Sequence, residues 1–330
     1  MPGRFLGLPP VPSTLDAHQP PTPPGAGEAA AELATARELR EALRAAARVL
    51  SASGIASPRA DAELLAGHLL GEDRGRVAVS ALMGSPVPAG YAELVARRAA
   101  RVPLQHLTGS APFRALSLAV GPGVFVPRPE TELVAQAAID EAARLVAAGA
   151  APLVLDLCTG SGAIAASVAH EVPGAVVHAV EIERAAHTYA ARNLAGTEVT
   201  LHLGDALALP EGLEGAVDVV VSNPPYVPPR EHADPEVGRY DPATALYGGG
   251  ADGMDFPRAL AARAARLLKP GGLFVMEHDE TQGEAVLGLL SAPGWVNAVV
   301  HRDLAGRERY AVARRAEAGA GRGSRAGVGE

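Results

Sequence analysis

The 330-residue sequence predicts an α/β protein, with a doubly wound, seven-stranded and mostly parallel sheet preceded by a small helical bundle. From Pro152 onward, short apolar runs alternate with helical stretches, a pattern typical of a parallel sheet with helices on both faces. Residues 32–102 instead show helical periodicity without strand signals. The chain is long enough for one large α/β domain and a smaller one.

Both ends of the chain differ in composition from the rest. Residues 1–31 are rich in proline, glycine and alanine and lack apolar periodicity, so we expect a disordered extension there. Residues 317–330 are rich in glycine, arginine and alanine, and we expect them to be disordered as well.

Residues 32–105 are predicted to form the helical domain. Leu39, Ala46 and Leu50 recur at helical spacing. Ser57-Pro58 has the pattern of a helix cap followed by proline in the first turn, and Gly71 is expected to end that helix.

Residues 106–130 are predicted to be a linker that contains a β-hairpin. Weak alternation over residues 113–128 and the turn signal at Gly121–Gly123 support this hairpin. The α/β domain follows over residues 131–316, and its first helix is predicted from about Pro129 to Ala148. The last strand lies too close to its predecessor for a helical crossover, so we expect it to pair antiparallel. The predicted strands are Leu153–Leu157, Ala175–Val180, Glu198–Leu203, Ala216–Ser222, Leu273–Met276, Val296–Arg302 and Arg309–Val312.

Composition narrows the class of protein. A formal net charge of −8 argues against a protein that mainly coats nucleic acid. The single cysteine, Cys158, excludes an intramolecular disulfide and fits a reducing compartment. No apolar stretch approaches the roughly 20 residues of a membrane span, and the N-terminus lacks a signal-peptide pattern. We therefore expect a cytoplasmic protein without nucleic-acid or membrane partners.

A glycine-rich loop follows the first predicted strand of the α/β domain. Gly160–Ala165 fits the pattern G-x-G-x-x-G/A at the start of a helix, and Glu181 ends the next strand about 20 residues later. Glycines let the backbone approach a ligand at the helix N-terminus, and a carboxylate in that position accepts hydrogen bonds from ribose hydroxyls. The pattern alone suits both a dinucleotide and S-adenosylmethionine.

Three features favour S-adenosylmethionine over a dinucleotide. Asp156 precedes the loop, where a carboxylate suits a cationic methionine moiety better than a pyrophosphate. Asp205-Ala206 follows the third strand, where a carboxylate can accept from an adenine amino group. The tetrapeptide Asn223–Tyr226 ends the fourth strand, at the edge of the sheet where ligands bind in such folds.

The tetrapeptide Asn223–Tyr226 has the chemistry of a clamp for a planar NH2 group. Proline restricts the backbone and removes donors, so the carbonyl groups around Pro224 and Pro225 remain as fixed acceptors. Asn223 adds a side-chain acceptor and Tyr226 a flat apolar face. Such a site suits chemistry on an amide or arylamine nitrogen, and glutamine, adenine and guanine all offer one.

The glycine loop and the tetrapeptide resemble class I amino-methyltransferases. Three further segments narrow the resemblance to the HemK/PrmC family, the glutamine methyltransferases of peptide chain release factors: Arg101–Gly109, Val126–Glu132 and Tyr240–Leu246. The resemblance covers about residues 33–315. Glu181 stands where many relatives have aspartate and Cys158 where many have glycine, and both departures are compatible with the chemistry.

The resemblance implies a class I methyltransferase fold, S-adenosylmethionine as cofactor, and methyl transfer to the glutamine of the Gly-Gly-Gln motif in release factors. It also implies that the helical domain recognises the protein substrate, and it places Arg128 beside the active site. The predicted catalytic residues are Asn223, Pro224 and Tyr226; the substrate-binding residues add Pro225, Phe125 and Arg128; and the cofactor-binding residues are Asp156, Cys158, Thr159, Gly160, Ser161, Gly162, Glu181, Asp205, Ala206 and Asn223.

Other interpretations remain open at this point. A nucleic-acid amino-methyltransferase would use the same tetrapeptide on adenine N6 or guanine N2, but it is expected to carry a basic recognition domain. A binding module without activity could keep the same fold. Phe125 suits either the wall of a glutamine slot or the hairpin core, and Pro129–Glu132 suits a plain helix start. Glu277–Glu280 is interpreted as a solvated loop instead of a metal site, and no metal is predicted.

Overall fold

A computed structural model describes residues 26–208, 210–229 and 235–317. The chain divides after Ala100 into two compact units. The predictions of disorder for residues 1–25 and 318–330 lie outside the described residues. For residues 26–31 the prediction is wrong, because a helix begins at Ala26 and buries Ala29 and Leu33. No helix in the described ranges is long and apolar enough to cross a membrane.

The described part of the first unit is a helical bundle, as predicted. Apolar side chains on the facing sides of the helices form its core, and Leu39, Leu50, Leu65 and Tyr91 are almost fully buried there. The helices are α1 (Ala26–Thr35), α2 (Leu39–Ala52), α3 (Pro58–Leu70), α4 (Arg74–Leu82) and α5 (Tyr91–Ala99).

Helix α3 shows how local sequence sets the limits of a helix. It begins at Pro58, whose missing N–H costs nothing in the first turn, and it ends before Gly71 with φ of 67°. Both limits confirm the prediction from Ser57-Pro58 and Gly71. A buried ion pair joins α3 to α5, because Arg98 Nε donates to Asp61 Oδ2 over 2.7 Å.

The second unit carries the sheet. Its helices are α6 (Leu104–Thr108), α7 (Thr131–Ala147), α8 (Ala163–Glu171), α9 (Arg184–Asn193), α10 (Pro235–Tyr240), α11 (Ala243–Leu246), α12 (Asp255–Leu267) and α13 (Gly283–Leu290). Its strands are β1 (Ser110–Phe113), β2 (Leu116–Ala119), β3 (Leu153–Leu157), β4 (Val176–Glu181), β5 (Thr200–Leu203), β6 (Val217–Ser222), β7 (Leu268–Glu277), β8 (Trp295–Arg302) and β9 (Glu308–Arg315).

The seven-stranded sheet confirms the predicted fold class. Its strand order is β5-β4-β3-β6-β7-β9-β8, and β9 is antiparallel to both of its neighbours, as expected for the last strand. From β3 the chain adds β4 and β5 on one side and then returns to place β6 on the other. The carboxyl ends of β3 and β6 therefore flank a topological switch point, where α/β sheets bind ligands.

Both faces of the sheet are covered, as the doubly wound pattern requires. Along β3, Val154 belongs to the core cluster that includes Val134 of α7, while Leu155 belongs to the cluster that includes Leu260 of α12. Val220 of β6 belongs to the second cluster, like Leu155. Successive side chains of a strand point to opposite faces, so an uninterrupted apolar run predicts a strand buried on both sides.

The hairpin lies earlier than its predicted turn. Strands β1 and β2 pair antiparallel with Phe113 opposite Leu116, so the turn consists of Arg114 and Ala115. Gly121–Gly123 does form a turn, closed by a hydrogen bond from Val124 N to Gly121 O over 3.3 Å, but it lies beyond the hairpin, so its assignment as the hairpin turn is wrong. The side chain of Arg114 provides the physical reason, because it holds the tight turn with φ of 51° through bonds to Glu171 and to residues of α7.

Candidate active site

The predicted site residues come together at the carboxyl edge of the sheet. Strand β3 lies in register between β4 and β6, so the residues after the last pairs, Cys158, Glu181 and Asn223, are neighbours along this edge. Adjacent strands in a sheet lie about 4.8 Å apart, so one small ligand can contact the ends of several neighbouring strands at once. Asp205 follows β5 on one side of the row, and Glu277 ends β7 on the other.

Backbone hydrogen bonds to β4 and within the loop hold the glycine loop between β3 and α8. Thr159 N donates to Val180 O over 2.9 Å, and Gly162 N donates to Thr159 O over 2.8 Å. Gly160 has φ of 57°, and a Cβ there would meet no heavy atom within 4 Å, so the loop is open on that side. Gly162 has φ of 83° and packs against Leu194, where a Cβ would lie 3.3 Å from Leu194 Cγ.

Asp156 supports this loop from within. Its Oδ2 accepts from Thr159 Oγ1 over 2.5 Å and from the backbone N of Ala165, in α8, over 3.1 Å. Oδ1 is buried and has no hydrogen-bond partner among the described residues. Complete burial raises the pKa of Asp156 to about 7, against the lowering effect of its two donors.

Glu181 joins the strand end to the glycine loop. Its Oε2 accepts from Gly160 N and its Oε1 from Glu183 N, each over 2.8 Å. Burial raises the pKa of this carboxyl, although the backbone donors act in the opposite direction. The backbone N–H of Ile182 also interacts with this carboxylate, and the four lone pairs of a carboxylate still outnumber these three donors. Directly after Glu181, the side chain of Ile182 is 58% exposed and offers an apolar surface at the same edge.

The remaining residues predicted for the cofactor surround the loop. Cys158 is half-buried with φ of 64°, and burial raises the pKa of its thiol. Ser161 is buried, and its carbonyl accepts from Asn193 Nδ2 over 2.9 Å. Asp205 Oδ1 accepts from Leu207 N over 2.8 Å, which fixes the turn after β5. Ala206 is buried in the core.

The tetrapeptide after β6 presents two acceptors. Asn223 Nδ2 donates to Thr131 Oγ1 over 3.2 Å, which leaves its Oδ1 without a partner among the described residues. The carbonyl oxygen of Pro224 is likewise without a partner in that part of the chain. Pro224 and Pro225 are buried, whereas Asn223 and Tyr226 are half-buried. The two neighbouring acceptors have the polarity needed to receive the N–H bonds of an NH2 group.

A buried carboxylate lies behind the tetrapeptide. Glu277 Oε2 accepts from Thr131 Oγ1 over 2.7 Å, and Oε1 accepts from Tyr226 Oη over 3.0 Å. Glu277 is 2% exposed and His278 is fully buried, so the interpretation of Glu277–Glu280 as a solvated loop is wrong for these two residues. Glu277 is the last residue of β7, and no local sequence pattern reveals that it contacts Thr131 of α7 and Tyr226 in the loop after β6.

Comparison with known proteins supplies the family. Residues 41–109 match the model of the PrmC N-terminal domain, and residues 130–238 match that of the methyltransferase small domain. The release factor glutamine methyltransferase of Streptomyces coelicolor is 48% identical over 281 residues, which cover 84% of this chain and 98% of that protein. The chain belongs to the release factor glutamine methyltransferase family. The protein of that name from Mycolicibacterium smegmatis is 47% identical over 84% of this chain and 98% of its own length. The one from Deinococcus radiodurans is 41% identical over 84% of this chain and 99% of its own length.

In this methyltransferase-family protein, a glycine-rich segment without a recognised motif, residues 248–253, supports the tetrapeptide. A Cβ on Gly253, whose φ is 72°, would overlap the carbonyl oxygen of Tyr226, so only glycine allows this approach. Gln282 is buried, and its Nε2 donates to the carbonyl oxygens of Tyr226 and Asp252, over 2.8 Å each. The glycine run over residues 248–253 was a signal for such close backbone packing.

Phe125 and Arg128 lie together before α7. The guanidinium carbon of Arg128 lies 4.9 Å from the centre of the Phe125 ring, and Arg128 Nη2 donates to Asp241 Oδ2 over 2.8 Å. Asp241 belongs to the segment Tyr240–Leu246 that carried part of the family resemblance. An ion pair therefore joins the segments Val126–Glu132 and Tyr240–Leu246. Its two residues lie 113 positions apart, so the sequence alone does not reveal this contact.

Proposed function

We propose that the protein transfers a methyl group from S-adenosylmethionine to the side-chain amide nitrogen of the glutamine in the Gly-Gly-Gln motif of peptide chain release factors. The observation that carries this proposal is the position, at the carboxyl ends of the neighbouring strands β4, β3 and β6, of Glu181 and the glycine loop beside the acceptors of Asn223 and Pro224, which have no partner among the described residues. Membership of the release factor glutamine methyltransferase family supports the same reaction and substrate.

The loop side of the site fits S-adenosylmethionine, which supplies an electrophilic methyl group on a sulfonium. The open side of Gly160 allows a ligand to approach the backbone at the start of α8. Glu181 is proposed to accept from the ribose hydroxyls in addition to its backbone donors, and Ile182 offers an apolar surface for a purine ring. We propose that Asp205, which follows β5, accepts from the adenine amino group.

Asp156 and the other loop residues are proposed to act on the cofactor in different ways. Asp156 is fully buried, so we assign it to bracing the loop through Thr159 and to placing negative charge near a cationic ligand. Cys158, Gly160, Ser161 and Gly162 would contribute backbone groups, and Ala206 would pack beside the adenine.

Asn223 and Pro224 are proposed as the catalytic residues. An amide nitrogen is a poor nucleophile, because its lone pair is delocalised into the carbonyl group. Acceptance of its two N–H bonds by Asn223 Oδ1 and the Pro224 carbonyl favours a more pyramidal nitrogen whose lone pair faces the methyl group. Positioning and electrostatics then supply most of the rate enhancement. The S–CH3 bond would break as the N–CH3 bond forms, with the neutral thioether S-adenosylhomocysteine as the leaving group. No strong base is required before this transfer, since the transfer itself makes the nitrogen acidic and its proton would then pass to water.

The remaining site residues would shape the slot for the glutamine side chain. Tyr226 supplies a flat face next to the acceptors, and Pro225 is buried behind it. Phe125 is proposed as a second wall, and Arg128 holds it by stacking over its ring. Because Arg128 also pairs with Asp241, we assign it to the wall of the slot and not to the reacting amide.

We also propose that the helical unit recognises the release factor. Its residues 41–100 fall within the match to the PrmC N-terminal domain. Helix α4 and the residue after it expose Val79, Leu82 and Met83, whose exposed fractions of 59%, 69% and 80% are high for apolar side chains and suit a protein partner. A protein that acts on release factors is expected to work in the cytoplasm.

The test is methyl transfer with labelled S-adenosylmethionine and purified release factors. We expect one methyl group per release factor, located by peptide mass spectrometry on the glutamine of the Gly-Gly-Gln motif. A release factor in which this glutamine is replaced by glutamate is the control, because it lacks the amide nitrogen. Labelling of ribosomal RNA or DNA, with the release factors unmodified, would overturn the proposal in favour of a nucleic-acid methyltransferase.

A further inference from the structure

The hydrogen bonds around Glu277 form a chain with a defined direction. Asn223 Nδ2 donates to Thr131 Oγ1, and Thr131 Oγ1 donates to Glu277 Oε2, over 3.2 and 2.7 Å. From the other side, Tyr226 Oη donates to Glu277 Oε1 over 3.0 Å. One carboxylate therefore holds both ends of the tetrapeptide Asn223–Tyr226.

The direction follows from the number of protons on each group. A carboxylate only accepts, and a hydroxyl group has a single proton to donate. Since Thr131 gives that proton to Glu277, it can only accept from Asn223. The amide of Asn223 must then turn its NH2 group to Thr131 and its Oδ1 away from it.

We propose that Glu277 is a positioning residue that, through Thr131, makes Asn223 present its oxygen and not its NH2 group to the acceptor nitrogen. This inference rests on the proposed function, in which Asn223 Oδ1 receives an N–H bond of the substrate amide. With the opposite orientation, two NH2 groups would face each other and the substrate nitrogen would lose its acceptor.

The charged form of Glu277 is the form that sets this polarity. A protonated carboxyl group can donate to Thr131, which frees the threonine proton for Asn223 Oδ1 and allows the amide to turn over. The groups that face Glu277 are Arg309 from β9, Glu130 at the start of α7 and Tyr226. Burial outweighs the attraction of Arg309 and raises the pKa of Glu277 to about 7.

The sign of the pH dependence follows from the raised pKa. As the pH falls through the pKa of Glu277, the carboxylate is neutralised and the orientation of Asn223 is no longer enforced. We expect kcat to decrease on the acid side with an apparent pKa of about 7, while KM for the release factor changes little.

The first test compares Glu277→Gln with the wild type in steady-state methyl transfer to a release factor. Glutamine keeps the size of the side chain but adds a donor, so we expect kcat to fall about 100-fold and KM to change by less than about threefold. The pKa of Asp156 is also raised to about 7, but Asp156 braces the cofactor loop, so saturating S-adenosylmethionine separates its effect from that of Glu277. Under that condition the acid limb of the pH profile of kcat should disappear in Glu277→Gln. Isothermal titration calorimetry should show an unchanged Kd for S-adenosylmethionine, because the glycine loop is untouched.

Variants of Thr131 test the hydrogen-bond relay, which runs from Asn223 through Thr131 to Glu277, independently of the carboxylate. Thr131→Val removes the hydroxyl group and is expected to lower kcat about as much as Glu277→Gln, whereas Thr131→Ser keeps the hydroxyl and should retain most of kcat. Glu141→Gln is the matched control. Glu141 is also a buried carboxylate, but it lies in α7 and forms ion pairs with Arg144 and Arg314, which are not part of the relay. If Glu277→Gln fails to fold, the two threonine variants carry the test.

Two results would overturn the positioning role. One is a Glu277→Gln enzyme with wild-type kcat and pH profile, and the other is a Thr131→Val enzyme as active as Thr131→Ser. Failure of the proposed function is distinguishable, because the wild type would then leave release factors unmodified. In that case the same variants are compared on whichever acceptor the wild type methylates.

Discussion

Glu181 and Glu277 are two buried carboxylates at the same edge of the sheet, and they differ in what they hold. Glu181 accepts from the backbone N–H groups of Gly160 and Glu183, within a short stretch of chain. Glu277 accepts from the hydroxyl groups of Thr131 and Tyr226, which lie 146 and 51 residues away. The first therefore shapes a loop, and the second orients side chains.

The difference between these carboxylates divides the site into a cofactor end and an acceptor end. At the cofactor end, the Glu181 side chain would itself contact the ligand. At the acceptor end, Glu277 is out of reach of the substrate and acts through Thr131 on Asn223. Changes at the cofactor end are expected to alter the Kd of S-adenosylmethionine, and changes at the acceptor end to alter kcat.

Asn223→Ala should have the largest effect. It removes an acceptor that we propose acts on the reacting nitrogen, so we expect kcat to fall by about 100- to 1,000-fold, as for the loss of one polar group from an oxyanion hole. The Kd of S-adenosylmethionine should rise by less than about tenfold, because most cofactor contacts are retained. Single-turnover methyl transfer and calorimetry measure the two quantities.

If Asn223→Ala changed the Kd of the cofactor as strongly as it changed kcat, Asn223 would not belong to a separate acceptor end of the site. A large decrease in melting temperature would instead show that Asn223 is needed for folding.

Glu181→Gln should have the next largest effect, on binding. The loss of charge-assisted hydrogen bonds is worth about 1.5–3 kcal/mol, so we expect the Kd of S-adenosylmethionine to rise by about 10- to 100-fold. At saturating cofactor, kcat should stay within about threefold of the wild type. Glu183→Gln, on the same loop, is the control and should leave Kd unchanged. A fall in kcat at saturation with an unchanged Kd would contradict the division of the site.

Cys158→Gly should have the smallest effect. The left-handed backbone at Cys158, with φ of 64°, costs a residue with a side chain about 1–2 kcal/mol, and glycine avoids this cost but loses more entropy on folding. We expect the free energy of unfolding to change by less than about 1 kcal/mol, and Cys158→Val to lower it by more, since a β-branched residue tolerates this conformation poorly. Chemical denaturation of the two variants measures this. Lost methyl transfer in a folded Cys158→Gly protein would show that the thiol has a role.

Much of the fold could be read from local patterns. The helix predicted from Pro129 to Ala148 is observed as Thr131–Ala147. Apolar runs predicted β3 and β6 within one residue at each end. The hairpin turn was placed wrongly, because Gly121–Gly123 has turn composition whereas the real turn depends on the remote partners of Arg114.

In the site, too, local sequence patterns identify some residues, whereas contacts between distant residues can be seen only in the structure. Residues 156–162, Glu181 and Asn223–Tyr226 could be found from their spacing after apolar runs, because parallel strands bring their carboxyl ends to one edge whatever the details of packing. The roles proposed for them remain predictions. Burial of Glu277, its bonds to Thr131 and Tyr226, and the contact of Gly253 with Tyr226 join distant parts of the chain.

Local sequence thus determines which segments become strands, helices and tight loops, because periodicity and backbone preference act over a few residues. It also suffices to place the glycine loop and the tetrapeptide at one edge of the sheet. Local sequence does not determine the orientation of the Asn223 amide. It depends on a carboxylate and a hydroxyl group that only the packed sheet and α7 bring within hydrogen-bond distance, and burial then gives that contact its strength and its dependence on pH.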